Sequence, residues 1–201
     1  MRMDTVVYKI ENNLYINLTN NCLLKCEFCV RKEERFGGYS LKLKNEPSAD
    51  EVIAELKKQL DEKNNAKIEG IVFCGFGEPT YKMDEIKYIS QFAKSKNLKI
   101  RLNTNGLGNL INGQDITVQL KGLIDTVSIS LNAPDAETYD RVTGFAVPEA
   151  FEQMLDFAKE CLQKGIKTIL TAVDVLSESD LIKCCAIAKE LGADFRVRKQ
   201  I

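Results

Sequence analysis

The chain of 201 residues contains no histidine. That absence excludes a Ser-His-Asp triad, the histidine-bearing zinc sites and the commonest general base. There is no excess of either charge: 28 Lys and Arg stand against 29 Asp and Glu, a formal net charge of −1. No overall attraction to nucleic acid or to a membrane surface follows from that balance. A long apolar run is also missing. Leu14–Leu18, near the N-terminus, is far too short for a signal segment or a membrane span. The expectation is a cytoplasmic protein with no membrane partner. No internal repeat or low-complexity segment interrupts the chain.

What is present is cysteine. Seven cysteines without a signal segment point away from a disulfide framework and toward metal or redox chemistry. With so few acid–base schemes left, a cofactor is expected to carry the difficult chemistry. A hydrophobic content of 44% is enough for a sizeable core, and the length suits one domain spanning residues 1–201.

Three of the cysteines, Cys22, Cys26 and Cys29, are spaced C-x3-C-x2-C. Three thiolates can hold three irons of a cubane and leave the fourth without a protein ligand. A cluster used only for electron transfer normally has four cysteines. A cluster with three has an open site at which a small molecule can bind and react. Taken alone, the spacing also fits core cysteines or part of a zinc site.

Short apolar strands alternate with helical stretches. Val6–Ile10 and Leu14–Leu18 flank a turn and read as a hairpin, or as a cap strand followed by a first barrel strand. Further strands are expected at Ile68–Cys74, Lys99–Thr104, Asp125–Leu131, Lys167–Val173 and Asp194–Arg198. Ser48-Ala49-Asp50-Glu51 is a capping box that opens a helix with Val52, Ile53, Leu56 and Leu60 on one face. Helices are also expected over Met83–Lys96, Asp115–Lys121, Pro148–Lys164 (Pro148 near its first turn, Gly165 just past its end) and Ser179–Leu191. From Leu14 onward this makes six strands with five intervening helices, the pattern of a parallel sheet with helices outside. Six units fall short of a full eight-unit barrel, and by counting alone a doubly wound sheet fits equally well.

The strands themselves favour one of the two. Leu14, Ile16 and Leu18 alternate with Tyr15, Asn17 and Thr19. Ile100 and Leu102 alternate with Arg101 and Asn103. Val127, Ile129 and Leu131 alternate with Ser128, Ser130 and Asn132, and Phe195 and Val197 with Arg196 and Arg198. Period-two alternation puts each set on one side of the sheet. Helices cover the apolar side, so the polar side lines a wet cavity. The expected fold is therefore an α/β partial (β/α)6 TIM-like barrel with an extra N-terminal strand. The competing reading is a sheet with one solvent-exposed face.

A second motif, Cys74-Gly75-Phe76-Gly77-Glu78-Pro79-Thr80, ends the second parallel strand. Ligands meet the carboxyl ends of such strands. Glycines there let the backbone approach a ligand, and Glu78 supplies an acceptor for an ammonium group. Together with the cysteine triad, this motif resembles the radical S-adenosylmethionine superfamily, although Phe76 splits the family's glycine pair. The resemblance implies a [4Fe–4S] cluster on Cys22, Cys26 and Cys29. The unique iron would be chelated by the amino and carboxylate groups of S-adenosylmethionine. Reductive cleavage would then give methionine and a 5′-deoxyadenosyl radical that abstracts hydrogen from a polar substrate. It also implies an oxygen-sensitive protein served by a flavodoxin or ferredoxin reductant.

Residue by residue, the resemblance places Phe28 beside the adenine. Gly75, Gly77, Glu78 and Pro79 fall at the methionine end. Asn105 closes strand three at the same rim, Ser130 and Asn132 face the ribose or the methionine carboxylate, Arg141 pairs with that carboxylate, and Val173 touches the adenine. Leu14-Tyr15-Ile16-Asn17-Leu18-Thr19-Asn20, Cys29-Val30-Arg31 and Ser128-Ile129-Ser130-Leu131-Asn132-Ala133-Pro134 look like the small radical SAM proteins associated with TatD-family nucleases. Two other readings stay open. One is a carboxy-deazaguanine-synthase-like radical SAM enzyme. The other is a non-catalytic iron–sulfur electron-transfer module with Cys74 as fourth ligand, against which stand Cys74 as a thiol near the radical and Cys74 as a core residue. Cys161, Cys184 and Cys185 read as helix-face packing. Arg101, Arg196 and Arg198 are either lumen groups that bind an anionic substrate or solvated strand edges. The loop over 31–47 is a substrate lid or a plain crossover.

Overall fold

A computed structural model describes residues 4–32, 37–61, 67–144 and 147–200. Strand β1 (Val7–Ile10) runs antiparallel to β2 (Asn13–Ile16), with Tyr8 opposite Tyr15. Strands β3 (Gly70–Phe73), β4 (Lys99–Thr104), β5 (Thr126–Ser130), β6 (Lys167–Val173) and β7 (Asp194–Arg198) follow, each parallel to the one before. Order in the sheet is order in the chain. A doubly wound sheet needs a point where strand order reverses, and none exists among the described residues. β1 and β7 are not paired, yet Tyr8 of one and Arg198 of the other line a single cavity. The sheet therefore curls into an open wall, the partial barrel with an added N-terminal strand.

The alternation explains the layering. Leu14, Ile16, Phe73, Leu102, Val127, Ile129 and Leu170 point outward and are fully buried. They pack under α1 (Ala49–Asp61), α2 (Met83–Ser95), α6 (Ala150–Gln163) and α7 (Glu178–Leu191). Burying each such side chain contributes about 1.5–3 kcal/mol. The inward residues Asn17, Thr19, Ser128 and Thr171 are polar and also buried. The inner face thus encloses a polar lumen and is not a sheet surface open to water. Val197 departs from the pattern: on edge strand β7 it is 44% exposed, so its alternation does not mark a covered face.

Local signals set the helix ends. The capping box forms in both directions: the Ser48 amide donates to Glu51 Oε2 at 2.8 Å, and the Glu51 amide donates to Ser48 Oγ at 3.3 Å. Three short helices complete the set: α3 (Gly108–Asn112), α4 (Thr117–Leu120) and α5 (Ala136–Thr143). Of these, α3 and α5 were not expected. Asp135 caps α5 by accepting from the Thr138 amide at 2.8 Å, and Gly144 ends it at φ +62. The helix expected from Pro148 begins at Ala150, because Glu149 at its N-cap takes a left-handed conformation, φ 61.

Candidate active site at the mouth of the barrel

The three cysteines lie on the loop that leaves β2. Its shape is set by an element far along the chain. The Lys25 amide donates to Thr143 O at 2.8 Å and the Glu27 amide to Val142 O at 3.0 Å. Gly144 is needed there: a Cβ would sit 2.6 Å from Lys25 O. The guanidinium of Arg31 closes the loop on Leu24 O at 3.3 Å and lies 6.0 Å from the Phe76 ring centre. Burial, then the charge of Glu78, pushes the Cys22 thiol up to about 11. Burial and the neighbouring Cys29 and Cys22 push Cys26 up to about 12. Both are therefore protonated until a metal displaces the proton.

The residues before the triad are stitched to two neighbours. Asn17 Nδ2 donates to Leu41 O at 2.6 Å, while its Oδ1 accepts from the Phe76 amide at 2.9 Å. Asn20 exchanges two hydrogen bonds with Leu43, at 2.7 and 3.0 Å. Glu46 accepts from the Thr19 hydroxyl and from the Asn20 amide, and pairs with Lys82 at 2.8 Å. Within the loop read as a lid or crossover, Leu41–Glu46 is thus a brace for the cysteine loop; residues 33–36 lie outside the described residues. Sequence reasoning missed Glu46. A carboxylate among lysines in a loop carries no signal until Thr19 and Asn20 are seen beside it.

The glycines of the second motif make close backbone approach possible. At Gly77 a Cβ would meet Asn21 O at 2.5 Å and Thr19 O at 2.6 Å; at Gly75 it would meet the Asn17 side chain at 2.1 Å. The Gly77 amide is committed to Thr19 O at 2.9 Å, and the Glu78 amide to Asn21 O at 2.7 Å. The motif and the triad loop are thereby locked to each other. Glu78 is 4% exposed, and its carboxylate accepts four hydrogen bonds. Thr80 gives its amide (3.2 Å) and hydroxyl (2.8 Å), Thr104 its hydroxyl (2.8 Å) and Asn105 its amide (2.8 Å). Burial raises the Glu78 pKa against these donors, and no cation pairs with it among the described residues.

One cavity of about 270 Å³ gathers almost every expected site residue: Cys22, Cys26, Cys29, Phe28, Gly75, Gly77, Glu78, Pro79, Asn105, Ser130, Asn132 and Val173. Asn105 Nδ2 lies 3.9 Å from Cys22 Sγ. Arg141 is the exception. Tyr139 and Val142 take the buried face of α5, which turns Arg141 outward, where it is exposed and its charge acts on Asp180. The segment around it contributes the backbone of Val142 and Thr143 instead. Cys74 lines the same cavity, and burial raises its pKa. The charges acting on it are those of Arg198, Arg101 and Glu78, whereas Cys26 feels Cys29, Cys22 and Arg31. Cys74 follows β3, whereas the triad sits on the loop after β2. Cys161 and Cys184 are buried in helix packing, and Cys185 is exposed. Among the described residues no three histidine, cysteine, aspartate or glutamate side chains are grouped to hold a single metal ion. A cubane does not require that, since each thiolate binds a different iron.

The family model of the Radical SAM superfamily matches residues 16–186, from β2 to within α7. The chain belongs to the radical SAM superfamily. Its relatives include the probable GTP 3′,8-cyclases of Saccharolobus islandicus strain Y.N.15.51 and of Thermoplasma volcanium. The first is 25% identical over 186 residues, 90% of this chain and 54% of the relative; the second is 26% identical over 177 residues, 87% and 50%. The chain spans about half the length of these curated relatives. Streptococcus suis SuiB, solved bound to S-adenosylmethionine, superposes with a TM-score of 0.70 at 20% identity, covering 94% of this chain and 41% of that one. Native anSMEcpe with bound AdoMet gives 0.63 at 18%, covering 93% and 50%. At these identities the likeness to solved structures is one of fold.

Membership makes the chain a radical SAM enzyme, with a [4Fe–4S] cluster and S-adenosylmethionine as its cofactors. The residues present fit both groups. Glu78 is a buried carboxylate lacking a cation, suited to an ammonium. Asn132 is 4% exposed with Oδ1 unpartnered among the described residues. The fully buried Tyr139 hydroxyl has no partner either, and it lies within the influence of Cys26 and Cys22. No helix of the described residues is long and apolar enough to cross a membrane.

Proposed function

We propose that residues 1–201 act as a single radical SAM core domain that takes a hydrogen atom from a small polar substrate held in the lumen. When bound, the cluster and S-adenosylmethionine supply one-electron cleavage of the sulfonium, giving methionine and a 5′-deoxyadenosyl radical. Cys22, Cys26 and Cys29 would hold the cluster through three thiolates and leave a coordination position for the cofactor. Glu78 receives the ammonium of the methionine moiety, its carboxylate fixed beforehand by Thr80, Thr104 and Asn105. Phe28 and Val173 provide apolar contact for the adenine, Ser130 and Asn132 hydrogen-bond the ribose or the methionine carboxylate, and Gly75, Gly77 and Pro79 shape the methionine end. Arg141 has no part in this reading.

The observation that carries the proposal is one cavity lined both by the triad and by a fixed, cation-free carboxylate. The electron comes from an external reductant, a flavodoxin or a ferredoxin. The working compartment is the reducing cytoplasm, which suits seven free cysteines. The test is anaerobic reconstitution, addition of dithionite and S-adenosylmethionine, and chromatography for 5′-deoxyadenosine. Formation of 5′-deoxyadenosine supports the proposal. No cleavage by protein carrying an intact [4Fe–4S] cluster overturns it.

A further inference from the structure

Two arginines at the cavity stand without visible counter-charge. Arg198, at the end of β7, lines the cavity; Arg101, on β4, is not part of its lining, but the charges of both act on the Cys74 thiol that is. Arg198 Nη2 donates to Ser130 Oγ at 3.3 Å, and Arg101 Nη2 donates to Tyr15 Oη at 2.8 Å. The Nε atoms of both guanidiniums are buried and without partners, and so is Asn103 Oδ1. Every ion pair among the described residues is made by a lysine, and none reaches these arginines. Nearby acids are otherwise engaged. Asp194, on β7 itself, pairs with Lys167 at 3.3 Å, and Glu78 makes no ion pair with either arginine. Arg196, two residues before Arg198, is exposed.

A buried guanidinium without a counter-charge is costly unless something repays its lost hydration. Arg198, half-buried at the wall of a ligand cavity, with Arg101 half-buried nearby, keeps that cost only where an anion arrives. The planar fork of arginine matches a carboxylate or a phosphate with two parallel hydrogen bonds. We infer that Arg198 and Arg101 form the anion-binding end of the substrate site, and that the substrate is a small molecule docked by a carboxylate or phosphate group. The inference rests on the radical SAM reading of the cavity. The arginines then fix which carbon of the substrate is presented to the cofactor.

Anaerobic holoenzyme loaded with S-adenosylmethionine is titrated calorimetrically with pyrophosphate and, separately, with succinate, which tells a phosphate site from a carboxylate site. One of the two is expected to bind. Arg198→Gln and Arg101→Gln are each expected to weaken it by about tenfold or more, the usual worth of a charge-assisted pair. Arg198→Lys keeps the charge, loses the fork and falls between. Arg196→Gln, on the exposed face, binds as the parent does. The inference is overturned if neither anion binds at millimolar concentration, or if Arg198→Gln and Arg198→Lys proteins that still take up S-adenosylmethionine bind the anion like the parent. The parent sample is assayed for 5′-deoxyadenosine alongside. Formation of 5′-deoxyadenosine with anion binding indifferent to the arginines refutes the substrate class alone. No formation refutes the underlying reading.

Discussion

Replacing Gly77 by alanine tests whether the two motifs are locked to each other as described. The new Cβ would lie 2.5 Å from Asn21 O and 2.6 Å from Thr19 O, and both are backbone atoms that cannot swing aside. Opening the contact even to 3.0 Å requires the two loops to part, which stretches the hydrogen bonds Gly77 N to Thr19 O (2.9 Å) and Glu78 N to Asn21 O (2.7 Å). Overpacking costs about 1–3 kcal/mol and each weakened hydrogen bond about 0.5–1.5, so the sum is about 3 kcal/mol. For a chain of this size that lowers the melting temperature by roughly 6–12 °C. Gly113→Ala is the control. Gly113 has φ +63 but nothing within 4 Å of its Cβ. Only backbone strain of about 1–2 kcal/mol applies there. Anaerobic calorimetry of both variants, with equilibrium dialysis of S-adenosylmethionine, separates them. Gly77→Ala should also lose cofactor affinity by about tenfold or more, since Glu78 moves with it; Gly113→Ala should not. Equal stability losses in the two variants, or unaltered cofactor binding in Gly77→Ala, would refute the locked geometry.

Four further outcomes are expected. Cys26→Ala abolishes the cluster, seen as loss of its visible absorption and of its reduced-state paramagnetic resonance signal. Cys74→Ala keeps both the cluster and S-adenosylmethionine binding, because Cys74 follows β3 and is not on the loop that carries the triad; loss of the cluster would contradict this. Burial holds Glu78 above the ordinary 4.5, so the native state binds more protons than the unfolded chain between the two values. Stability of the cofactor-free protein therefore falls as pH rises through that window while cofactor affinity rises, and Glu78→Gln flattens both in denaturant titrations and dialysis. Arg141→Gln, altered at an exposed position, leaves cofactor affinity within about twofold by dialysis, an exposed side chain being worth little.

The barrel was legible because its strands are asymmetric. Asn17, Asn103 and Ser128 interrupt apolar runs at every second residue, and such residues survive inside only if they face a cavity. The triad and the Gly75–Glu78 segment announced the site because their chemistry is compact in sequence. The partners that tune it are not. Thr104 and Asn105 reach Glu78 across 26 and 27 positions, and Glu46 reaches Thr19 across 27. No local pattern encodes those meetings. Helix α3 is too short to show a period, whereas α5 carried a readable start at Asp135 and stop at Gly144 that a search for apolar stripes passed over. Arg141 was expected to pair with a carboxylate, but its segment meets the cysteine loop through the backbone of Val142 and Thr143 instead. Side-chain chemistry can be read from a sequence, but a carbonyl oxygen looks the same at every position.

The two hydrogen bonds that shape the cysteine loop have a consequence for biogenesis. Lys25 and Glu27 find their acceptors on Thr143 and Val142, which exist only once α5 has been made and has docked. Closing so long a loop comes late in folding, after the local contacts have formed. A nascent chain that has emerged as far as β4 holds the three thiols of the triad but no cradle for them. Loading of iron and sulfide therefore follows completion of the first four parallel strands and the helix after them. Until then Cys22, Cys26 and Cys29 depend on a reducing environment to remain usable.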